Sequence, residues 1–231
     1  MKKIAGLLLV FGFVLAIPAL KLHAQKPFEG TLTWALTIPI MDSDNHSMIM
    51  NIKGDKTEIE MDMGDEGGLV RSYTDLSTKK RYMVMTELKK GTVSDIDDSV
   101  RPDTTHDSLN INSTGQKANI AGYSSEEYIS NEANGEASFW VTADIPKDVE
   151  KCFYQALSNS PGQDAKAIKE MKYLDDRGLV PVRIIIRLAG QTMMTVEFVK
   201  YERKSLDDGL FMPPTDIKYD PLPSGGDGGE N

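Results

Sequence analysis

The residues most often used for catalysis are few and scattered in this chain. Of its three histidines, His46 and His106 lie far apart, and His23 belongs to the apolar N-terminal segment. The sequence contains no Gly-x-Ser-x-Gly nucleophile motif, no His-Glu-x-x-His zinc motif and no glycine-rich phosphate loop. We therefore predict a protein that is not an enzyme and that uses no metal and no cofactor. His46 and His106 are expected in surface loops or at strand edges.

The single cysteine, Cys152, cannot form a disulfide within the chain. Its position in an apolar helical stripe favours a buried thiol. Nothing nearby indicates a lowered pKa of this thiol. An intermolecular disulfide or a reactive thiol is the alternative interpretation.

Aspartates crowd residues 95–107, which are otherwise polar. Calcium prefers such oxygen ligands, but the turn glycine and the distal glutamate of an EF-hand loop are missing. The favoured interpretation is an acidic loop in contact with water. Calcium binding stays open. Sugar attachment stays open too, at Asp98-Ser99-Val100 and Asp107-Ser108-Leu109, short patterns similar to some bacterial O-glycosylation acceptors.

Residues 1–24 have the pattern of a secretory signal peptide. Lys2 and Lys3 precede an apolar run that ends near Leu20, and Ala24 offers a small residue for cleavage. Because the run is shorter than the ~20 residues of a membrane span, cleavage is favoured over a retained anchor, and no stable span is expected afterwards. No cysteine follows the run, so a lipoprotein is excluded. We expect an exported protein, periplasmic or extracellular.

The chain after residue 24 is strongly acidic. Removing Lys2, Lys3 and Lys21 from the 26 basic residues leaves 23 against 35 acidic residues, a net charge of −12. Such a surface repels phosphate backbones, so we expect no nucleic-acid partner.

Hydrophobic alternation with a period of two dominates the rest of the sequence. Leu32, Trp34 and Leu36 alternate with polar residues, and similar patterns recur along most of the chain. Val149, Cys152, Phe153, Ala156 and Leu157 instead form a helical stripe, and a weaker helix follows it. The predicted fold class is α+β, mainly β: a curved antiparallel sheet or unclosed barrel of about nine or ten strands, with two helices covering one side. A single domain is expected over residues 25–221, with a disordered Gly/Ser/acidic tail at 222–231.

Methionines and aromatic residues mark the candidate ligand-binding positions. Methionine is unbranched and polarisable, so it suits an adaptable apolar surface. An ordinary methionine-rich core is the alternative. The candidate residues are Trp34, Met48, Met50, Met61, Met63, Met83, Met85, Phe139, Trp140, Phe153, Met194 and Phe198. Phe139 and Trp140 must lie on opposite faces of one strand, so only one of them can face the helices.

Several short motifs resemble an exported domain family of unknown function from Gram-negative bacteria. They are Ile120-Ala121-Gly122-Tyr123, Phe139-Trp140-Val141-Thr142 followed by Asp144-Ile145-Pro146, the Gly178–Pro181 spacing and the Phe211–Pro214 spacing. Relatives often carry a cysteine where this chain has Ser125. The pattern is similar to the lipoprotein-carrier fold of LolA and LolB, an unclosed antiparallel barrel whose concave apolar face is covered by helices. The resemblance implies a fold and an apolar ligand class, and no catalytic residue.

We therefore expect a protein that shelters a lipid or acyl chain between its curved sheet and the two helices. The alternative is an envelope structural or protein-interaction module with a filled core and a protein partner.

Overall fold

A computed structural model describes residues 27–39, 46–64, 68–96, 109–131, 135–158 and 165–222. These residues form one twelve-stranded sheet in the order β12-β6-β5-β4-β3-β2-β1-β11-β10-β9-β8-β7. The strands are β1 (Glu29–Thr37), β2 (His46–Lys53), β3 (Lys56–Asp62), β4 (Leu69–Asp75), β5 (Lys80–Met85), β6 (Lys90–Asp95), β7 (Ile111–Ile120), β8 (Tyr123–Asn131), β9 (Gly135–Thr142), β10 (Val180–Leu188), β11 (Gln191–Arg203) and β12 (Tyr219–Pro221). Because β12 and β7 pair on one side only, the sheet is unclosed.

The predicted count of nine or ten strands is wrong, because the sequence pattern does not reveal β6 and β12. β6 carries one large apolar residue, Val93, so its alternation is too weak to identify from sequence. β12 is three residues long and pairs with β6 in parallel, an exception to the expected antiparallel pattern. β6 is the antiparallel hairpin partner of β5, whereas β12 is defined by long-range pairing, which local sequence does not encode.

Two helices pack on one face of the sheet, here called the inner face. Helix α1 (Lys147–Ser158) and helix α2 (Ala165–Asp175) connect β9 to β10. The apolar stripe of α1 supplies Val149 and Phe153 to the core, and α2 supplies Met171 and Leu174. The predicted arrangement of two helices on one side of a mainly β fold is confirmed.

The opposite, outer face carries the C-terminal segment. After β11 the chain passes the buried Leu206 and a short 3-10 helix (Asp208–Phe211), which lies near β3 and β4. Further along, the Tyr219 ring meets Tyr82 of β5 with centroids 5.2 Å apart. A side chain at Gly91 would begin 2.6 Å from the Tyr219 ring, so glycine permits this crossing. We call residues 204–222 the C-terminal strap.

Some expectations fall outside the described residues. These are the signal peptide at 1–24, the tail beyond residue 222, His106 and most of the acidic stretch. Asp95 is described, and its carboxylate pairs with Lys80 at 2.5 Å.

Candidate apolar ligand site

The predicted ligand-binding residues separate into a sealed group and a partly exposed group. Trp34, Met50, Phe139, Phe153 and Phe198 are buried in the core. Met48, Met61, Met63, Met83, Trp140 and Met194 are half-buried, and Met85 is 43% exposed. Only the second group offers surface to a ligand without rearrangement.

The sealed group fills the space between α1 and the centre of the sheet. Trp34 of β1 stacks on Phe153 of α1 with ring centroids 5.6 Å apart, and it meets Phe198 of β11 edge-on at 5.4 Å. Phe198 in turn contacts Tyr123 of β8 at 5.9 Å. Such pairs add directional attraction to the burial of large apolar surfaces. Aromatic rings therefore occupy the part of the interior directly under α1.

Three members of the partly exposed group, Met48, Met61 and Met85, continue from this cluster along one cross-strand row. Trp34 pairs with Met48, Met48 with Met61, Met61 with Val70, and Val70 with Met85. Directly paired residues share a face of the sheet, so this row runs over the inner face of β1 to β5. At the usual strand spacing of ~4.8 Å, the four steps span about 19 Å. We call Met48, Met61, Val70 and Met85 the methionine row.

Exposure increases along this part of the inner face. In the adjacent row, Met50 and Ile59 are buried, whereas Met83 of β5 is half-buried. The apolar surface is thus sealed beside the aromatic cluster and accessible towards β5. Met63 lies just beyond the end of β3, and Met194 lies on β11, on the other side of β1 from the row.

Phe139 and Trp140 lie on opposite faces, as predicted. Phe139 pairs with Tyr128 and Ile184 on the inner face. Trp140 is half-buried opposite Arg183 and Glu127, so it belongs to the outer face and does not join the methionine row.

Buried polar groups in the part of the sheet that carries the helices are paired within the fold. On the outer face, Ser138 donates to Glu127 Oε1 at 2.7 Å. On the inner face, Ser130 donates to Glu170 on α2. The Tyr154 hydroxyl of α1 donates to the Leu179 carbonyl, and its burial raises the pKa of that phenol. The last two bonds anchor the helices to the sheet.

The structure corrects the expectation for His46. The sequence predicts a surface or edge residue, but His46 is the buried first residue of β2. A side chain at Gly64 would begin 2.6 Å from the His46 ring, which shows how closely the chain packs there.

Cys152 is half-buried on α1. Burial and the nearby Asp148 raise the pKa of its thiol, so it is less nucleophilic than a free cysteine at neutral pH. Among the described residues no cluster of three or more histidine, cysteine or carboxylate side chains is arranged to hold a metal ion. None of the helices within those residues has the length and apolar character needed to cross a membrane.

Sequence reasoning missed Val70 and Arg81 as members of the candidate surface. Val70 completes the methionine row, and Arg81 lies on the same face of β5 as Met83 and Met85. The signal was present for Arg81: it stands two residues before Met83 in a strand of period two. An arginine at an inward position of an apolar strand is unusual.

Three solved structures illustrate what the fold is similar to. An uncharacterised conserved protein from Thermus thermophilus is 8% identical with a TM-score of 0.50, and the match covers 84% of this chain and 91% of that one. The complex of Pseudomonas aeruginosa MucA/MucB gives 7% identity, a TM-score of 0.44, and coverage of 84% and 58%. The LolA superfamily protein NE2245 from Nitrosomonas europaea gives 10% identity, a TM-score of 0.32, and coverage of 82% and 91%.

The first of these shows that the fold also occurs in a protein without an assigned activity. A search of curated proteins finds no match. The model of a domain of unknown function, DUF4412, matches residues 28–217. That range holds all twelve candidate ligand-binding residues and nearly all of the sheet. The expected membership of a family of unknown function is confirmed, and the chain belongs to the DUF4412 family.

Proposed function

We propose that this protein is an exported, non-enzymatic carrier that shelters an apolar ligand, such as a lipid or acyl chain, on the methionine row. The observation that carries the proposal is the contiguous apolar path from buried Trp34 to Met85, which is 43% exposed. Flexible methionine side chains can adapt to an irregular hydrocarbon surface.

The ligand position that we propose differs from the one expected from sequence. Trp34 and Phe153 stack directly, so a chain inserted under α1 would have to separate them. A chain lying along Met48, Met61 and Met85 displaces only water. Binding would be driven by apolar burial, at about 25 cal/mol per Å².

Lipid extraction tests the proposal directly. Protein exported by a Gram-negative host is purified without detergent, analysed by native mass spectrometry, and extracted for bound lipid. We expect bound lipid or acyl chains. Protein that repeatedly carries none, and that fails to bind added dodecanol, would contradict the proposal.

Replacing one methionine locates the ligand. Met85→Ser removes a partly exposed apolar side chain and should weaken dodecanol binding by about tenfold, since burying a methionine contributes roughly 1.5–3 kcal/mol. Leu188→Ser is the matched control, because Leu188 is a similarly exposed apolar residue (50%) at the end of β10. Equal losses in both variants would place the ligand elsewhere.

A second function is favoured by the sealed aromatic cluster and by the long edge strand β7. Six consecutive residues of β7, from Asn112 to Lys117, are exposed, and the strand pairs on one side only. An exposed edge can accept a strand from a partner protein. A stable envelope protein partner, found in place of lipid, would support this alternative.

A further inference from the structure

An arginine lies on the inner face with no ion-pair partner among the described residues. Arg81 of β5 pairs across the strands with Thr74 of β4 and Ser94 of β6. The Arg81 Nε is buried and makes no hydrogen bond, and the same holds for the Ser94 hydroxyl. Buried donors are normally paired, because an unmade hydrogen bond costs about 1–3 kcal/mol.

Two more unpaired hydroxyls lie in the next row. Met83 pairs with Ser72 of β4 and Thr92 of β6, and both of these hydroxyl groups are buried without a partner. Ser72 is only 4% exposed. The two rows are about 7 Å apart, the distance of two residues along a strand.

The unpaired buried polar atoms are concentrated in these two rows of the inner face. Five buried side-chain atoms lack a hydrogen-bond partner in the part of the chain that the structure describes, and four of them are in these two rows. The fifth, Arg71 Nε, is on the outer face, where the Arg71 guanidinium already pairs with Glu60 at 2.5 Å.

The charge of Arg81 is also unbalanced. Glu58 and Glu60 alternate to the outer face, and Lys80 pairs with Asp95 there. Burial alone lowers the pKa of Arg81, with no compensating carboxylate among the described residues. Arg81 is half-buried and its Nε is sealed from solvent, so an arriving anion would pair a cation that no described carboxylate pairs.

The surroundings define what the anion is attached to. Met83 and Met85 follow Arg81 on the same face of β5, and Met85 belongs to the methionine row. A cationic and hydroxyl-lined end therefore adjoins an apolar path. We propose that Arg81, with the hydroxyls of Ser72, Thr92 and Ser94, binds the anionic head group of a single-chain amphiphile. This inference rests on the proposed function, because the methionine row holds the hydrocarbon chain.

A carboxylate and a phosphate monoester share the chemistry that Arg81 recognises, since both accept paired hydrogen bonds from a guanidinium. The test therefore compares dodecanoate, dodecyl phosphate and dodecanol, with inorganic phosphate alone, by calorimetry on delipidated protein at pH 8. We expect at least one anionic amphiphile to bind at least tenfold more tightly than dodecanol. Whichever of dodecanoate and dodecyl phosphate binds more tightly identifies the chemical class of the head group.

Substitutions then assign the effect to Arg81. Arg81→Gln should abolish the preference for the anion over dodecanol, and Arg81→Lys should retain part of that preference. Arg183→Gln is the matched control, because Arg183 is a half-buried arginine on the outer face, paired with Glu197 at 2.7 Å.

The unpaired hydroxyls give a second measurement that does not depend on the Arg81 variants folding. Ser72→Ala and Thr92→Val remove buried hydroxyl groups that have no partner. Each should raise the melting temperature of the free protein and weaken binding of the anion severalfold. A purely structural role predicts no such loss of binding.

The outcomes separate the two proposals. If dodecanol binds as tightly as both anions, or if Arg81→Gln keeps the preference, the head-group site is wrong and the apolar carrier stands. If none of the amphiphiles binds, both proposals fail. If inorganic phosphate alone binds as tightly as dodecyl phosphate, the site is not one for an amphiphile.

Discussion

Glu58 is the most completely buried carboxylate on the outer face, at 1% exposed. It accepts a hydrogen bond from Asn51 at 2.8 Å, and Asn51 accepts one from Thr31 at 2.7 Å. Its nearest cation, Arg71, is 3.9 Å away and pairs more closely with Glu60. Burial therefore dominates, and it raises the pKa of Glu58 above the ordinary glutamate value.

The raised pKa of Glu58 has a definite sign in the pH dependence of stability. A carboxyl group whose pKa is raised on folding contributes stability that is fully present below the unfolded pKa of about 4.3, and this is lost as pH rises through the folded pKa. Glu58→Gln keeps an oxygen acceptor for Asn51 and removes the charge. The free energy of unfolding of this variant, relative to the parent, should rise between pH 4 and pH 8 in urea denaturation.

Asp208→Asn is a control with the opposite sign. The hydrogen bond from Lys53, 2.9 Å away, lowers the pKa of Asp208, so the native charge contributes stability that is lost on acidification. Relative to the parent, this variant should become less stable as pH rises. If the free energy of unfolding of Glu58→Gln, relative to the parent, stays constant or falls between pH 4 and pH 8, burial does not raise the pKa of Glu58.

At the scale of elements, the sequence predicted what local pattern encodes. Period-two alternation located β1 to β5 and β8 to β11, and the stripe of Val149, Cys152 and Phe153 located α1. It did not reveal β12, whose parallel pairing with β6 depends on the strap crossing the six strands that separate β11 from β12. It also gave no sign that Trp34 and Phe153 would stack, because that contact joins residues more than a hundred positions apart.

The C-terminal strap is expected to contribute substantially to stability. Phe211 is buried in the 3-10 helix beside β3 and β4. Phe211→Ala should lower the free energy of unfolding by about 3 kcal/mol, the lower end for loss of a buried phenylalanine. Met212→Ala, at the adjacent position that is 65% exposed, should change it by less than about 0.5 kcal/mol. Similar urea midpoints for the two variants would show that the strap packs loosely.

At the scale of the whole molecule, the helices are fixed to the sheet at several points. Arg203 of β11 holds the Asp148 carboxylate with two hydrogen bonds, at 2.6 and 2.8 Å. Tyr154 bonds to the Leu179 carbonyl, and Phe153 stacks on Trp34. The sequence predicted a ligand held between the sheet and the two helices that cover it. The geometry instead favours a fixed cover, with the accessible apolar surface beside it on β3 to β5.

This difference predicts where hydrogen exchange responds to a ligand. If dodecanoate lies on the methionine row, backbone amides of β3 to β5 should exchange more slowly when it is bound, and those of α1 should be unchanged. Phe153→Ala is the positive control: loss of the stack with Trp34 leaves a cavity costing about 3–5 kcal/mol, so α1 should exchange faster even without ligand. Faster exchange in α1 of the parent protein on adding dodecanoate would mean that the helices open, and the ligand would then belong under them after all.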